Sequence, residues 1–217
     1  MWVAFGRGQS LRWINVHDLF HYVGQEKVKG MLFFHAFTGC DTVSAYRNKG
    51  KKNAWQTWDI CPKATPVFSK LGVYPPIVED SDLEILEKFV ILMYDRSRTA
   101  ANVNEARLDM STRKQRPYES IPPTRAALLQ HTRRAAYQSG CVWAQATQCQ
   151  PEAEDPADWG WQKVGEQWQV FWTANSPIAK SCEQLTKCAC KSGCRGRCKC
   201  YKLGLVCTAL CSCICEV

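Results

Sequence analysis

The sequence contains no run of about 18 or more apolar residues, which excludes a transmembrane helix. Its start, Met1-Trp2-Val3-Ala4-Phe5-Gly6, has no basic region leading into an apolar stretch, so no secretory signal is expected there. No segment repeats, and none is of low complexity. His17 and His21 are four apart, but no HExxH pattern accompanies them, so a surface or core role is expected rather than a metal pair. Acidic residues are in the minority, 20 against 28 Lys and Arg, and the net charge of +8 leans toward a polyanionic partner. What remains is ordinary: 217 residues, 46% hydrophobic and 22% charged, enough for one real core in one or two domains. The exception is the 14 cysteines.

Five of them are scattered: Cys40, Cys61, Cys141, Cys149 and Cys182. Cys40 and Cys61 have no CxxC partner and read as small buried hydrophobes. The other nine are Cys188, Cys190, Cys194, Cys198, Cys200, Cys207, Cys211, Cys213 and Cys215, spaced C-x-C-x3-C-x3-C-x-C-x6-C-x3-C-x-C-x-C. Little apolar material is left there for a core. Nine is odd, so a disulfide scheme leaves one thiol over. A chain without a secretion signal is expected in a reducing compartment, where disulfides do not persist. Zinc fits the count. Three tetrahedral ions need about twelve ligand positions. Six terminal thiolates and three bridging ones supply them from the nine cysteines. Such a core carries excess negative charge. Lys187, Lys191, Arg195, Arg197, Lys199 and Lys202 lie between the ligands and can offset it.

This spacing resembles the CXC domain of the tesmin/TSO1-like family, over about 30 residues. Members of that family bind three zinc ions and use the module on DNA. The resemblance therefore implies zinc as cofactor, DNA as partner and a nuclear location. Arg197 stands where the family has its minor-groove tyrosine, and the gaps around Cys194 and after Cys213 are each one residue short. Between Lys180 and Val217 the net charge is +5, seven basic residues against two acidic. Lys191, Arg195, Arg197, Lys199 and Lys202 are the expected DNA contacts, in phosphate pairing that would be salt-dependent or in a narrow minor groove.

Trp2 to Phe5 and Leu11 to Val16 read as a hairpin around a Gly6–Ser10 turn. Helical patterns follow at His17 to Val23 and Gln25 to Phe37, the second running into Gly39-Cys40-Asp41. Beyond it lies Arg47-Asn48-Lys49-Gly50-Lys51-Lys52-Asn53-Ala54. Together these resemble the flap-endonuclease branch of PIN-like nucleases. There a GCD aspartate binds metal, and a glycine-rich turn opens a DNA-binding helical hairpin. The resemblance implies Asp41 as a remnant ligand for magnesium or manganese. It also implies Lys49, Gly50, Lys51 and Lys52 as a phosphate grip, built on backbone N–H groups at a helix start. Asn48 replaces the first glycine of that turn. In-line phosphodiester cleavage needs several carboxylates around ions about 3.5–4 Å apart. The related nucleases carry most of theirs upstream of a point equivalent to Met1. The chain thus reads as the back half of such a domain, without catalysis of its own.

Further along, Thr65-Pro66 fits a helix start, and Ser81-Asp82-Leu83-Glu84 fits a capping box opening a buried helix to Tyr94. A helix is expected near Val103 to Met110. Another is expected from Thr124 to Ser139, stopped by Gly140 and made cationic by Arg125, Arg133 and Arg134. Arg96 to Arg134 carries net +6, including Arg113-Lys114-Gln115-Arg116. Trp159-Gly160-Trp161 and Gln167 to Trp172 read as a strand or hairpin whose four tryptophans form a small core patch, and Ser176-Pro177 fits the start of a short helix after it. The run Phe34 to Asp41, the lysine-rich turn, Ile121-Pro122-Pro123-Thr124 and the terminal cysteines resemble a widespread family of animal proteins. That likeness implies shared ancestry, with mobile elements as one route, and brings no activity with it.

The expected fold is mainly α with a small N-terminal β-hairpin, as an incomplete α/β PIN-like domain, plus a small irregular zinc-cluster module at the C-terminus. The expected divisions are 1–110, a basic helix and Trp-rich connection at 111–180, and the module at 181–217. No membrane partner is expected.

Overall fold

The computed structural model describes residues 1–97, 99–112 and 120–175, together with Cys190 and Cys211. The chain divides into two units, Met1–Ala174 and Asn175–Val217. The Arg113 to Arg116 run, the Ser176-Pro177 start and seven of the nine clustered cysteines lie outside the described residues.

The first unit is mainly helical. Strands β1 (Trp2–Phe5) and β2 (Arg12–Asn15) form an antiparallel hairpin in which Trp2 faces Asn15 and Phe5 faces Arg12. Helices α1 (Val16–Val23), α2 (Gln25–Phe37), α3 (Lys51–Ile60), α4 (Ala64–Leu71), α5 (Asp80–Tyr94), α6 (Val103–Thr112) and α7 (Arg125–Ala136) follow. A second antiparallel hairpin, β3 (Trp161–Val164) and β4 (Gln167–Val170), turns at Gly165-Glu166. Among the described residues each sheet has two strands.

The centre of the core is α2. Phe33, Phe34, Ala36 and Phe37 are buried along it, against Trp58 of α3, Phe68 and Leu71 of α4, and Phe89 of α5. Gly30 explains how α4 comes so close. A Cβ there would lie 2.9 Å from the Phe68 Cβ and 3.2 Å from the Trp58 ring. Glycine thus trades helix propensity for close backbone approach. Leu128, Ala135 and Ala136 of α7 belong to the same core as Phe37. Residues beyond 110 are therefore part of this body and not only a connection to the cysteines.

Several helix ends differ from the sequence expectation. α4 starts one residue before Thr65, whose hydroxyl instead accepts a hydrogen bond from Trp58 Nε1 at 2.9 Å. The cap of α5 sits at Glu79, whose N–H donates to Asp82 Oδ2 at 3.0 Å, two residues before the expected box. Thr124 does cap α7, its Oγ1 accepting from Ala127 N at 3.2 Å. Gly140 does not end that helix. The chain widens into a π-helical stretch, Tyr137–Trp143, with Gly140 inside it. There the missing Cβ makes room for the Val73 carbonyl and the Pro76 ring. The tryptophan patch is also looser than expected: Trp168 and Trp172 are exposed, and only Trp159 packs on the core. The β1–β2 hairpin and α1 expose Trp2, Phe5, Trp13, Leu19 and Tyr22.

Candidate functional site

The Gly39-Cys40-Asp41 turn and the Asn48–Lys52 turn meet at the C-terminal end of α2. Gly39 has φ +105°, and a Cβ there would lie 2.6 Å from that of Ala45. The glycine of this triplet is thus demanded by the fold itself. Asp41 is exposed at the rim of a shallow cleft of about 340 Å³, shared with His35, Cys40, Thr42, Lys51, Gln138 and Trp143. Among the described residues no group of three or more His, Cys, Asp or Glu side chains is placed to hold a metal ion. Asp41 therefore stands without companion carboxylates there.

Lys51 has a task different from the expected phosphate grip. Its Nζ donates to the His35 carbonyl at 2.8 Å, to Thr38 Oγ1 at 2.9 Å and to the Gly39 carbonyl at 2.7 Å. All three ammonium donors are spent on the last turn of α2, where carbonyls lack helical partners and a cation suits the dipole. Burial pulls the Lys51 pKa below its usual value, and the nearby Cys40 thiol opposes that pull. Desolvation, and then the Lys51 charge, lower the His35 pKa, against the pull of Asp41.

The turn itself keeps the shape that a glycine would give it. Asn48 has φ +59°, the left-handed region, and is the only non-glycine there among the described residues. Asparagine tolerates that region better than most residues. Gly50 caps α3 with no side-chain hydrogen bond, and nothing lies within 4 Å of where its Cβ would be. The first N–H groups of α3 point out of the helix without side-chain caps, beside an exposed Lys52. Lys49 places its ammonium 5.0 Å from the Tyr94 ring centre.

Two contrasting variants separate these roles. Lys51→Met is expected to lower stability by about 1–2 kcal/mol, through the lost charged hydrogen bonds. Lys52→Met is expected to stay within about 0.5 kcal/mol of the parent. Urea midpoints of the two proteins check this, and equal midpoints would remove the capping role of Lys51.

The arginines of α7 do not form one cationic face. Arg125 pairs with Glu87 at 3.3 Å and Asp80 at 3.4 Å. Arg134 turns inward, Nη1 donating to the carbonyls of Gly160 at 3.0 Å and Phe171 at 2.8 Å. Sequence charge did not reveal that direction. Spacing could have, because Arg134 lies three residues after buried His131 and one before buried Ala135.

His17 and His21 are exposed, His17 Nδ1 lying 3.1 Å from the Met1 amine and His21 packing on the Phe20 ring. Cys61 and Cys141 are buried, Cys40 is half-buried against the core, and Cys149 is exposed.

Of the nine clustered cysteines, Cys190 and Cys211 are described, and both are half-buried. Cys188, Cys194, Cys198, Cys200, Cys207, Cys213 and Cys215 lie outside the described residues, as do Lys191, Arg195, Arg197, Lys199 and Lys202. Among the described residues no helix is long and apolar enough to cross a membrane. Compared with protein-family models, with curated proteins and with solved structures, the chain shows no significant match.

Proposed function

We propose that the chain is a zinc-binding, DNA-interacting nuclear protein with no catalytic step of its own. The observation that carries this reading is the run of nine cysteines from Cys188 to Cys215. Its donors are all thiols, the chemistry that suits zinc, and their number matches three ions with bridging ligands. Arg195, Arg197, Lys199, Lys202 and Lys191 would meet the DNA backbone. The open N–H groups and exposed Lys52 of the Asn48–Lys52 turn favour a second phosphate contact.

Metal analysis of the full chain is expected to find three zinc ions, and fewer than two would end the cluster reading. Chelation should unfold the cysteine segment, because ligation energy is its folding energy. It should leave the helical unit standing on its own core. Duplex DNA should bind at low salt with an affinity that falls linearly on a log–log salt plot. Affinity too weak to measure at low salt would refute the DNA partner.

A second reading, a metal-dependent structure-specific nuclease, draws on Asp41 and on the glycine-like conformation of Asn48. Magnesium- or manganese-dependent cleavage of flap DNA, lost in Asp41→Asn, would favour it. A protein-interaction scaffold is the outcome if zinc binds and DNA does not.

A further inference from the structure

Tyr46 and Arg134 are polar groups that the fold buries without completing their chemistry. Tyr46 is 7% exposed, and its hydroxyl has no hydrogen-bond partner among the described residues. Burial, and then the neighbouring Tyr94, push its pKa well above the usual phenol value, so it remains a donor at neutral pH. Arg134 is 2% exposed. Its bonds go to two backbone carbonyls, which do not neutralise it, and no carboxylate among the described residues pairs with it. A buried cation without a counter-ion is costly, and so is a buried hydroxyl without a partner.

Both line one cleft of about 400 Å³, a size typical of small-ligand sites. Arg47 lines it too, as does Arg107, which donates to the Pro122 carbonyl, and none of the described lining residues is Asp or Glu. The guanidinium groups of Arg47 and Arg134 make the cleft positive, and the planar fork of arginine suits phosphate oxygens. Ile121 and the rings of Pro122 and Pro123 add apolar lining. Trp172, 61% exposed, lies with its ring 5.4 Å from the Arg134 guanidinium. One face of that ring is engaged by the cation, and the rest is open to a flat group.

We propose that this cleft binds the phosphate of a nucleoside monophosphate, with Arg134, Arg47 and the Tyr46 hydroxyl on the phosphate oxygens and Trp172 beside the base. The phosphate chemistry is the same whether the nucleotide comes free or as the 5′-phosphorylated end of a strand. The site uses residues of Met1–Ala174 alone and does not depend on zinc or on the DNA reading above.

Calorimetric titration of the full chain tests it, with AMP, a 5′-phosphorylated tetrathymidylate and the same oligonucleotide without phosphate. Saturable binding of AMP or of the phosphorylated strand is expected, and which of the two binds identifies the source. Arg47→Ala and Tyr46→Phe should each weaken it about tenfold, the worth of a hydrogen bond to a charged group. Without ligand, Tyr46→Phe should melt no lower than the parent, because it removes an unpaired buried hydroxyl. A merely structural tyrosine would give the opposite pair of results. The proposal is overturned if neither phosphorylated probe binds, if the unphosphorylated strand binds equally well, or if both variants bind as the parent does.

Discussion

Phe68→Ala is expected to remove about 3–5 kcal/mol of stability, the upper range for truncating a buried aromatic. A domain of this kind has only about 5–15 kcal/mol in total. Phe68 is fully buried on α4, and its ring centre lies 4.8 Å from Trp58, 5.2 Å from Phe89, 5.6 Å from Phe33 and 6.0 Å from Phe34. Truncation would strip one partner from each of these rings. The cost depends on whether neighbours can fill the void, and here they have little freedom. α2 already meets α4 at Gly30, where a Cβ would be only 2.9 Å from that of Phe68. The helices cannot close further, so a cavity remains. Guanidinium unfolding, followed by tryptophan fluorescence because Trp58 reports on this cluster, gives the value. A loss below about 2 kcal/mol would mean that the core relaxes and that α4 is not its anchor.

Stability should also fall as the pH drops from about 6.5 toward 4, by on the order of 3 kcal/mol from His131 alone. His131 is buried on α7, with Nε2 2.8 Å from the Phe37 carbonyl and Nδ1 3.2 Å from Ser44 Oγ. Desolvation lowers its pKa to about 4; the Phe37 carbonyl opposes that shift and the Arg134 charge adds to it. Tyr46 also faces the ring, at 4.9 Å between centroids. The folded pKa lies below the unfolded one, so between the two the unfolded chain takes up a proton that the folded chain refuses. The penalty is absent above about 6.5, grows through the window and is complete below about 4. The contribution of His131 is read as the difference between two curves, parent and variant. His131→Gln should start less stable at pH 7 and lose less between pH 6.5 and 4 than the parent. Parallel curves would show that this histidine carries no such penalty.

Much of the fold was legible in the sequence because burial leaves a period. The apolar spacing of Gln25 to Phe37 fixed one helix to the residue, and that from Leu83 onward found a second and its end at Tyr94. The segments Trp159 to Trp161 and Gln167 to Trp172, read as a strand or hairpin, do span the second hairpin. Helix ends were less legible. Thr65 and Ser81 are good caps in isolation, but each start was set by a partner elsewhere, Trp58 for the first and the Glu79–Asp82 pair for the second. Charge misled most, since a positive residue carries no mark of its direction. Lys51 looks like its neighbour Lys52 in the sequence, yet it bonds three oxygens at the end of α2. Arg134 looks like Arg133, yet it is buried. The unpaired Tyr46 hydroxyl left no signal at all, because it arises only when α7 and the loop after α2 are brought together.

The bond from His131 to the Phe37 carbonyl joins residues 94 apart in the chain. During synthesis the α2 face around Phe37 is therefore made long before its cover. The ribosome must extend the chain through α7 before Leu128, His131 and Ala135 can close over it. Until then the Phe37 side of α2 stays open to solvent and to neighbouring nascent chains, and exposed apolar surface of that kind favours wrong association. A ribosome stalled just after α6 would thus hold a chain whose Phe37 face still lacks its α7 cover.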